Sequence, residues 1–219
     1  MRSKRWTNQY ISLVDSRRDR IFPAETESER EATRRILSER SKEYDALYVE
    51  LGSGSGGHLI EHARRKPQSL FIGFELRFKR VYRTIEKADT LSVPNLFMVQ
   101  GDARVFDTVF PEASLAGVYI NFPDPWDKRR WQKHRLISPE LCTRVLRSLS
   151  PGGFLSHKTD HREYFRATVE HLRSRDDAKI LQLTENLHEL PEAAELVRTE
   201  FENLFISNGL SINYLLCQK

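Results

Sequence analysis

From Tyr44 onward the chain alternates short apolar runs with amphipathic helical stretches, and this alternation is its strongest constraint on the fold. Runs of strand length occupy residues 46–51, 69–75, 95–100, 116–122 and 153–158. Helical patterns lie between or after them, at 58–65, 78–91, 139–149 and 162–173. Strand and helix in strict turn require right-handed crossovers, so the pattern predicts an α/β fold with a mostly parallel sheet and helices on both faces.

The two ends of the chain depart from this alternation. Residues 1–22 are basic and predict an arm, and 25–43 predict an exposed helix. After residue 180 the pattern predicts a strand at 180–184, a helix at 193–205 and a final strand at 210–216 that pairs antiparallel at the sheet edge. We therefore predict an N-terminal arm and helix (1–43) and one domain (44–219) built on a seven-stranded sheet.

A glycine-rich segment follows the first predicted strand and opens the first helix after it. Its glycines let the backbone approach a ligand beside the positive end of a helix dipole. Gly52, Gly54 and Gly57 also fit the G-x-G-x-x-G fingerprint of dinucleotide-binding folds, in which an acid about 20 residues on, here Glu75, binds a ribose. The glycine loop alone therefore does not exclude a nicotinamide dinucleotide as the cofactor.

Four acids stand at or just beyond the carboxyl ends of successive predicted strands: Glu50, Glu75, Asp102 and Asp124. Ligands of open α/β sheets bind at that edge. Glu50 would repel a pyrophosphate but attract an ammonium or sulfonium group. The four acids therefore favour S-adenosylmethionine, which carries a positive sulfonium and no phosphate, over a nicotinamide dinucleotide.

The most distinctive segment is Asn121-Phe122-Pro123-Asp124-Pro125-Trp126, which ends a predicted buried strand. Proline fixes φ and lacks a donor, so Asp124 is predicted to lie in an open loop. Residues 128–135 follow with six basic side chains and Trp131, a composition typical of a surface that meets phosphates and bases. The combination predicts an enzyme that acts on a nucleobase.

Composition excludes several classes of protein. The net charge is +4, with basic clusters near the N-terminus and at 128–135, which favours a polyanionic partner. Cys142 and Cys217 lack the spacing of a metal site or a disulfide framework, and the seven histidines form no metal-like set, so no metal is predicted. No apolar stretch reaches the ~20 residues of a membrane span, and no signal peptide is evident, so we expect a cytoplasmic protein.

Together these segments resemble the bacterial tRNA (guanine-N7-)-methyltransferases, the TrmB family, from about Tyr44 to the C-terminus. The glycine loop is common to class I methyltransferases, whereas the proline–acid–proline–tryptophan run with its basic tail is far more specific. The resemblance is carried by residues 50–56, 72–75, 101–103, 122–126, 128–130, 133–135, 151–153, 159–160 and 199–202. Before Glu50 the chain departs from the family's usual pattern.

The resemblance implies a class I methyltransferase Rossmann-like fold and methylation of N7 of the variable-loop guanine of tRNA, by convention position 46. It implies S-adenosyl-L-methionine as cofactor, tRNA and not DNA as partner, and a monomer or homodimer. Asp124 would be catalytic. The cofactor would be bound by Glu50, Gly52, Gly54, Glu75, Asp102, Ala103, Asn121 and Asp124. The substrate would be bound by Lys128, Arg129, Arg130, Lys133, His134, Arg135, Asp160, Thr199, Glu200, Phe201 and Glu202.

Alternatives remain at this stage. A nicotinamide-dependent oxidoreductase fits the glycines but not Glu50. A catalytically silent RNA-binding protein on the same scaffold would not need all four acids. A DNA amino-methyltransferase would place its prolines differently around the loop. Locally, Asp160 is also predicted to cap the helix that follows it, and Glu200 and Glu202 would be solvated if they did not bind substrate.

Overall fold

The computed structural model describes residues 8–219, and its strands form one mixed sheet. The strands are β1 Ile21–Pro23, β2 Ala46–Leu51, β3 Ser69–Glu75, β4 Leu96–Gln100, β5 Leu115–Asn121, β6 Leu149–Thr159, β7 Lys179–Thr184 and β8 Asn213–Gln218. Their order across the sheet is β1-β4-β3-β2-β5-β6-β8-β7, and all neighbours up to β6 are parallel.

Helices cover both faces of the sheet. They are α1 Tyr10–Asp15, α2 Glu27–Ser41, α3 Gly57–Arg65, α4 Phe78–Thr90, α5 Phe106–Val109, α6 Pro139–Ser148, α7 Arg162–Arg173 and α8 Glu200–Ser207. Leu70, Ile72 and Phe74 of β3 belong to the core on one face, and Phe71 belongs to the core on the other. Because successive strand residues point to opposite faces, β3 is buried on both, which confirms the predicted α/β class.

The predicted number of strands was wrong by one. β1 pairs in parallel with β4 and forms an eighth strand at the edge. It has only three residues and ends in Pro23, and proline is tolerated at an edge because it has no N–H to give to a ladder. Arg20 fixes its position by donating to the carbonyl oxygens of Val93 and Leu96. No periodicity can be read from so short a strand.

The final strand is antiparallel, as predicted, but it does not lie at the edge. β8 is inserted between β6 and β7 and is antiparallel to both, which leaves β7 outermost. The alternating burial of β7 agrees with this position, since every second side chain faces solvent.

The helix predicted at 193–205 is broken. A 3₁₀ turn occupies Pro191–Ala194, and α8 begins only at Glu200. Thr199 has an extended backbone and caps α8, because its hydroxyl accepts from the N–H of Glu202 and its own N–H donates to the Glu202 carboxylate. This capping box fixes the helix start downstream of the predicted one.

The basic side chains of the predicted arm contribute to the fold. Arg17 and Arg20 both pair with Asp89 at the end of α4, and Arg18 pairs with Asp15. Residues 1–7 of the arm lie outside the described residues. The boundary at residue 43 stays a prediction, while β1 and α2 place Phe22 and Leu37 in the main core. In the part of the chain that the structure describes, no helix is long and apolar enough to cross a bilayer.

Candidate active site at the carboxyl edge of the sheet

The glycine loop connects β2 to α3 and bends sharply over the edge of the sheet. Gly52, Gly54 and Gly56 all have positive φ, which side chains rarely adopt. The N–H groups of Gly52 and Ser53 donate to the carbonyl of Phe74, which fastens the loop to β3. A Cβ on Gly56 would lie 2.3 Å from Thr84 Cγ2, so glycine is required for α3 to approach α4.

Glu50, at the end of β2, lies beneath this loop and is almost completely buried. One carboxylate oxygen accepts from the Asn121 amide at 2.8 Å and lies 3.1 Å from His58 Nδ1. The other oxygen, Oε2, is buried and has no partner among residues 8–219, and the same holds for the amide oxygen of Asn121. Buried polar atoms are usually hydrogen-bonded, so these two oxygens are available to accept hydrogen bonds from a bound ligand.

His58 is a neighbour of this site that sequence reasoning missed. It occupies the second position of α3, and its Nε2 lies 3.2 Å from Nε2 of His62. Burial lowers the pKa of His62 to about 2, so His62 is a neutral partner. In the sequence, His58 directly follows Gly57, the last glycine of the loop. This signal is too weak to identify a site residue by itself.

Glu75, at the end of β3, is fixed by backbone donors. Its two oxygens accept from the N–H of Gly54 at 3.1 Å and of Arg77 at 2.9 Å. Each carboxylate oxygen can accept more than one hydrogen bond, so Glu75 keeps acceptor capacity toward the cleft that it lines. A terminal guanidinium nitrogen of Arg80 lies 3.6 Å from Oε2 of Glu75 and balances the charge of this carboxylate.

Asp102 and Ala103 follow β4 and line the same cleft. Burial opposes ionisation of Asp102, but hydrogen bonds from the side chain and the N–H of Arg104 outweigh it, and the pKa of Asp102 falls below its ordinary value. Asp102 is therefore an anion at neutral pH. Its charge is partly neutralised by Arg104, whereas no Lys or Arg among residues 8–219 lies within ion-pair distance of Glu50.

The acid loop, residues 122–127, continues from β5 in a strained conformation. Phe122 and Trp126 both have positive φ although neither is glycine. Three contacts hold the loop. The N–H of Phe122 donates to the carbonyl of Lys158, and Arg135 Nε donates to that of Pro125. His161 Nε2 lies 2.9 Å from a carboxylate oxygen of Asp127.

Asp124 stands at the middle of the acid loop, is exposed, and lines the cleft. Trp126 also lines it, and its ring meets Trp131 edge-on at 6.2 Å between centroids. Lys128 Nζ and the Arg130 guanidinium each lie 4.8 Å from the centre of the Trp131 ring. The residues after the loop thus form an exposed aromatic and cationic surface beside Asp124.

At the start of α8, Thr199, Glu200 and Phe201 also line the cleft, on the side of the acid loop, since the Phe201 ring lies 6.2 Å from that of Phe122. Glu202 faces the interior instead and is 1% exposed. Its carboxylate pairs with Lys158 Nζ at 2.8 Å, and Lys158 also donates to the carbonyl of Val197. Sequence reasoning missed Lys158, and the solvated position considered for Glu202 was wrong.

The cleft has a volume of about 510 Å³. All eight cofactor residues implied by the resemblance line it, together with four residues of the substrate set. These are Glu50, Gly52, Gly54, Glu75, Asp102, Ala103, Asn121, Asp124, His134, Thr199, Glu200 and Phe201. Lys128, Arg129, Arg130, Lys133, Arg135, Asp160 and Glu202 lie outside its lining. Their roles, like those of the lining residues, stay predictions.

The prediction that Asp160 caps α7 was wrong. The cap is His161, whose Nδ1 accepts from the N–H of Tyr164 at 3.0 Å. That bond places the ring proton on Nε2, the atom that faces Asp127. A histidine one position later therefore caps the helix and also tethers the acid loop.

Comparison with known proteins decides the family. Residues 45–215 match the methyltransferase family Methyltransf_4. A tRNA (guanine-N(7)-)-methyltransferase of Bdellovibrio bacteriovorus is 32% identical over 173 residues, which cover 79% of this chain and 82% of that protein. The chain belongs to the tRNA (guanine-N7-)-methyltransferase family. The resemblance found in the motifs is thereby confirmed.

Two further similarities define how far this family likeness extends. A bifunctional glycosyltransferase/methyltransferase of Fusobacterium nucleatum subsp. nucleatum is 32% identical over 176 residues, which cover 80% of this chain but 27% of that longer protein. The crystal structure of the 16S rRNA methyltransferase KamB aligns with a TM-score of 0.58 at 14% identity, over 89% of this chain and 94% of that one. The second likeness concerns the fold alone and confirms a Rossmann-like methyltransferase architecture.

Proposed function

We propose that this protein transfers a methyl group from S-adenosylmethionine to N7 of a guanine in tRNA, the variable-loop guanine at position 46. The observation that carries the proposal is one cleft with two unlike walls. Buried or backbone-fixed acids form one wall, and the exposed Asp124 and Trp126 beside a basic segment form the other. Membership of the family supports the same activity.

The residues present fit the methyl donor. The unpartnered Oε2 of Glu50 and the amide oxygen of Asn121 are buried acceptors that suit an ammonium group. Glu75, with acceptor capacity remaining at the rim, suits the hydroxyls of a ribose. A pyrophosphate would meet the Glu50 carboxylate, which has no Lys or Arg within ion-pair distance among residues 8–219, and this disfavours a dinucleotide. When bound, S-adenosylmethionine supplies a methyl group on a positively charged sulfur.

The chain's own task is to orient the guanine and to stabilise charge. N7 carries a lone pair and no proton, so no general base is needed before it attacks. Asp124 can accept hydrogen bonds from N1–H and the 2-amino group of guanine, and its charge favours the positive charge that develops on the purine. We therefore assign orientation and electrostatic stabilisation to Asp124, and no proton transfer.

The decisive experiment combines the purified protein with methyl-labelled donor and unmodified tRNA, followed by chemical cleavage at 7-methylguanosine. Label and cleavage should coincide at the variable-loop guanine, and a tRNA with adenine at that position should stay unlabelled. Label at another atom would refute the assigned position. Calorimetry should show binding of S-adenosylmethionine and its demethylated product, and tight binding of NADH in their place would refute the cofactor.

A further inference from the structure

A second concavity lies on the flank of the molecule, between the basic segment 128–135 and helices α6 and α7. We call it the lateral pocket. Its volume is about 470 Å³, close to that of the cleft. Arg104 and Leu136 line both, so the two concavities adjoin.

The lining of the lateral pocket is strongly cationic. Arg104, Lys133, Arg135 and Arg144 all line it, against a single lining carboxylate, that of Glu140. Arg104 and Arg144 already have partners, in Asp102 and Asp107. In residues 8–219 no carboxylate lies within ion-pair distance of Lys133 or Arg135, so these two carry the uncompensated charge.

Arg135 is held in place by neutral groups. Its Nε donates to the carbonyl of Pro125 at 2.7 Å, and its guanidinium lies 4.7 Å from the centre of the Tyr164 ring. Tyr164 is itself buried and accepts from the N–H of Ile137. Two terminal nitrogens of a guanidinium fixed in this way suit the oxygens of a phosphate, and little side-chain entropy is lost when they bind.

The position of the pocket identifies its occupant. A guanosine whose base enters the cleft is joined through phosphodiesters to the nucleotides on either side of it. The pocket adjoins the cleft, and Arg135 connects them because it contacts the loop that carries Asp124. We propose that the lateral pocket binds the backbone phosphate of a nucleotide next to the target guanosine. This inference rests on the function proposed above.

Ala167 allows a direct test, because it is exposed on α7 and lines the pocket. Ala167→Glu would add a carboxylate to the pocket that Lys133 and Arg135 line, and Ala167→Gln is its steric control. Arg173→Gln is a charge-matched control, since it changes the net charge equally at an exposed position of α7 outside the lining. All three should unfold within a few degrees of the wild type, because these residues are good helix formers.

Binding of tRNA is measured directly, without methyl donor, across a range of salt concentrations. Ala167→Glu should raise the Kd about tenfold and Ala167→Gln no more than about threefold, because the introduced like charge repels the phosphate. Arg173→Gln should stay within about twofold. The slope of log Kd against log salt should fall by about one for Ala167→Glu, which corresponds to one lost phosphate contact.

Three outcomes would overturn the proposal. One is equal tRNA affinity of the Ala167→Glu and Ala167→Gln variants. Another is an Arg173→Gln effect as large as that of Ala167→Glu. The third is binding of inorganic phosphate, at constant ionic strength, that responds to Ala167→Glu while tRNA affinity does not. Wild-type protein that binds tRNA but transfers no methyl group would refute the proposed function instead, so the two failures are distinguishable.

Discussion

The two walls of the cleft are built in different ways. On the first wall, Glu50 and Glu75 end neighbouring strands, and the sheet and the glycine loop fix their carboxylates. On the second wall, Asp124 and Trp126 stand in an exposed loop that depends on tethers from distant parts of the chain. The difference teaches that the proposed binding of the methyl donor would follow from the fold, whereas the proposed position of the base would depend on a few side chains.

Lys158 joins the elements of the second wall. Its backbone carbonyl accepts from Phe122 at the start of the acid loop, while its side chain pairs with Glu202 in α8. The side chain of Lys158 is 2% exposed and that of Glu202 is 1% exposed. A buried pair of this kind adds little net stability compared with apolar residues, but the loss of one partner is costly.

The largest expected effect comes from breaking this pair. Lys158→Met leaves Glu202 buried and unpaired and should lower the free energy of unfolding by about 3–5 kcal/mol, as measured in urea. The double variant Lys158→Met/Glu202→Leu should recover much of that loss. At a temperature where Lys158→Met is folded, we expect near-normal donor affinity with impaired methylation of tRNA. If donor affinity and tRNA methylation fell equally, the distinction between the two walls would be refuted.

Acid should weaken both walls together. Burial lowers the pKa of His157 in β6 to about 4, although the bond from its Nδ1 to the carbonyl of Ile120 opposes the shift. Between pH 6.5 and 4 the unfolded chain binds the proton and the folded one does not, so stability falls as pH falls. The loss should reach about 2–3 kcal/mol.

Urea unfolding at several pH values measures this loss. His157→Gln keeps a donor for Ile120 but removes the titrating group, so its stability should depend less on pH in that range. His62, whose pKa is lower still, should account for part of the remaining slope. An unchanged slope in the His157→Gln variant would exclude His157 as a cause.

Asp124→Asn tests the second wall alone. The variant keeps the shape of the side chain but loses its charge and one acceptor, so kcat for tRNA methylation should fall about 100-fold. Donor affinity, measured separately by calorimetry, should change less than about tenfold. Asp176→Asn is the control, because Asp176 is an exposed acid that does not line the cleft. Single-turnover methylation by Asp124→Asn at a near-normal rate would contradict the role given to this acid.

Glu50→Gln tests the first wall and should have the smallest effect of the four. Loss of a charged acceptor for an ammonium should weaken donor binding by about tenfold or slightly more, with tRNA affinity unchanged. Glu61→Gln serves as the control, since Glu61 is a carboxylate of α3 whose partners are Arg64 and Arg65. An equal effect of the two substitutions would mean that Glu50 acts only through net charge.

The same contrast explains how much could be predicted from sequence. The bounds of β2 and β3 were predicted correctly because their apolar runs end at acids and glycines, and α7 because its apolar period is regular. The acids of the first wall follow from these strand ends. Lys158 and His58 escaped prediction because their partners are 44 and eight residues away, and no local pattern records such pairs.

The remaining errors have local physical causes. β1 is too short to show alternation, and the capping box at Thr199 starts α8 later than hydrophobicity suggested. The position of β8 inside the sheet depends on which strand its side chains fit, a competition between alternatives that the order of residues does not reveal.

The positive φ angles of Phe122 and Trp126 hold the acid loop in a backbone conformation that bulky residues rarely adopt. A glycine at either position would relieve local strain of about 1 kcal/mol, but it would also add conformational freedom to the unfolded chain. At Phe122 it would in addition remove a ring that packs against Phe201 and Phe205. Either glycine would also make the loop more flexible, so that Asp124 would be held less firmly in the position proposed for binding the guanine. The two bulky residues therefore keep the acid loop in one conformation at the expense of backbone strain, and a more flexible loop would hold Asp124 less well without making the protein more stable.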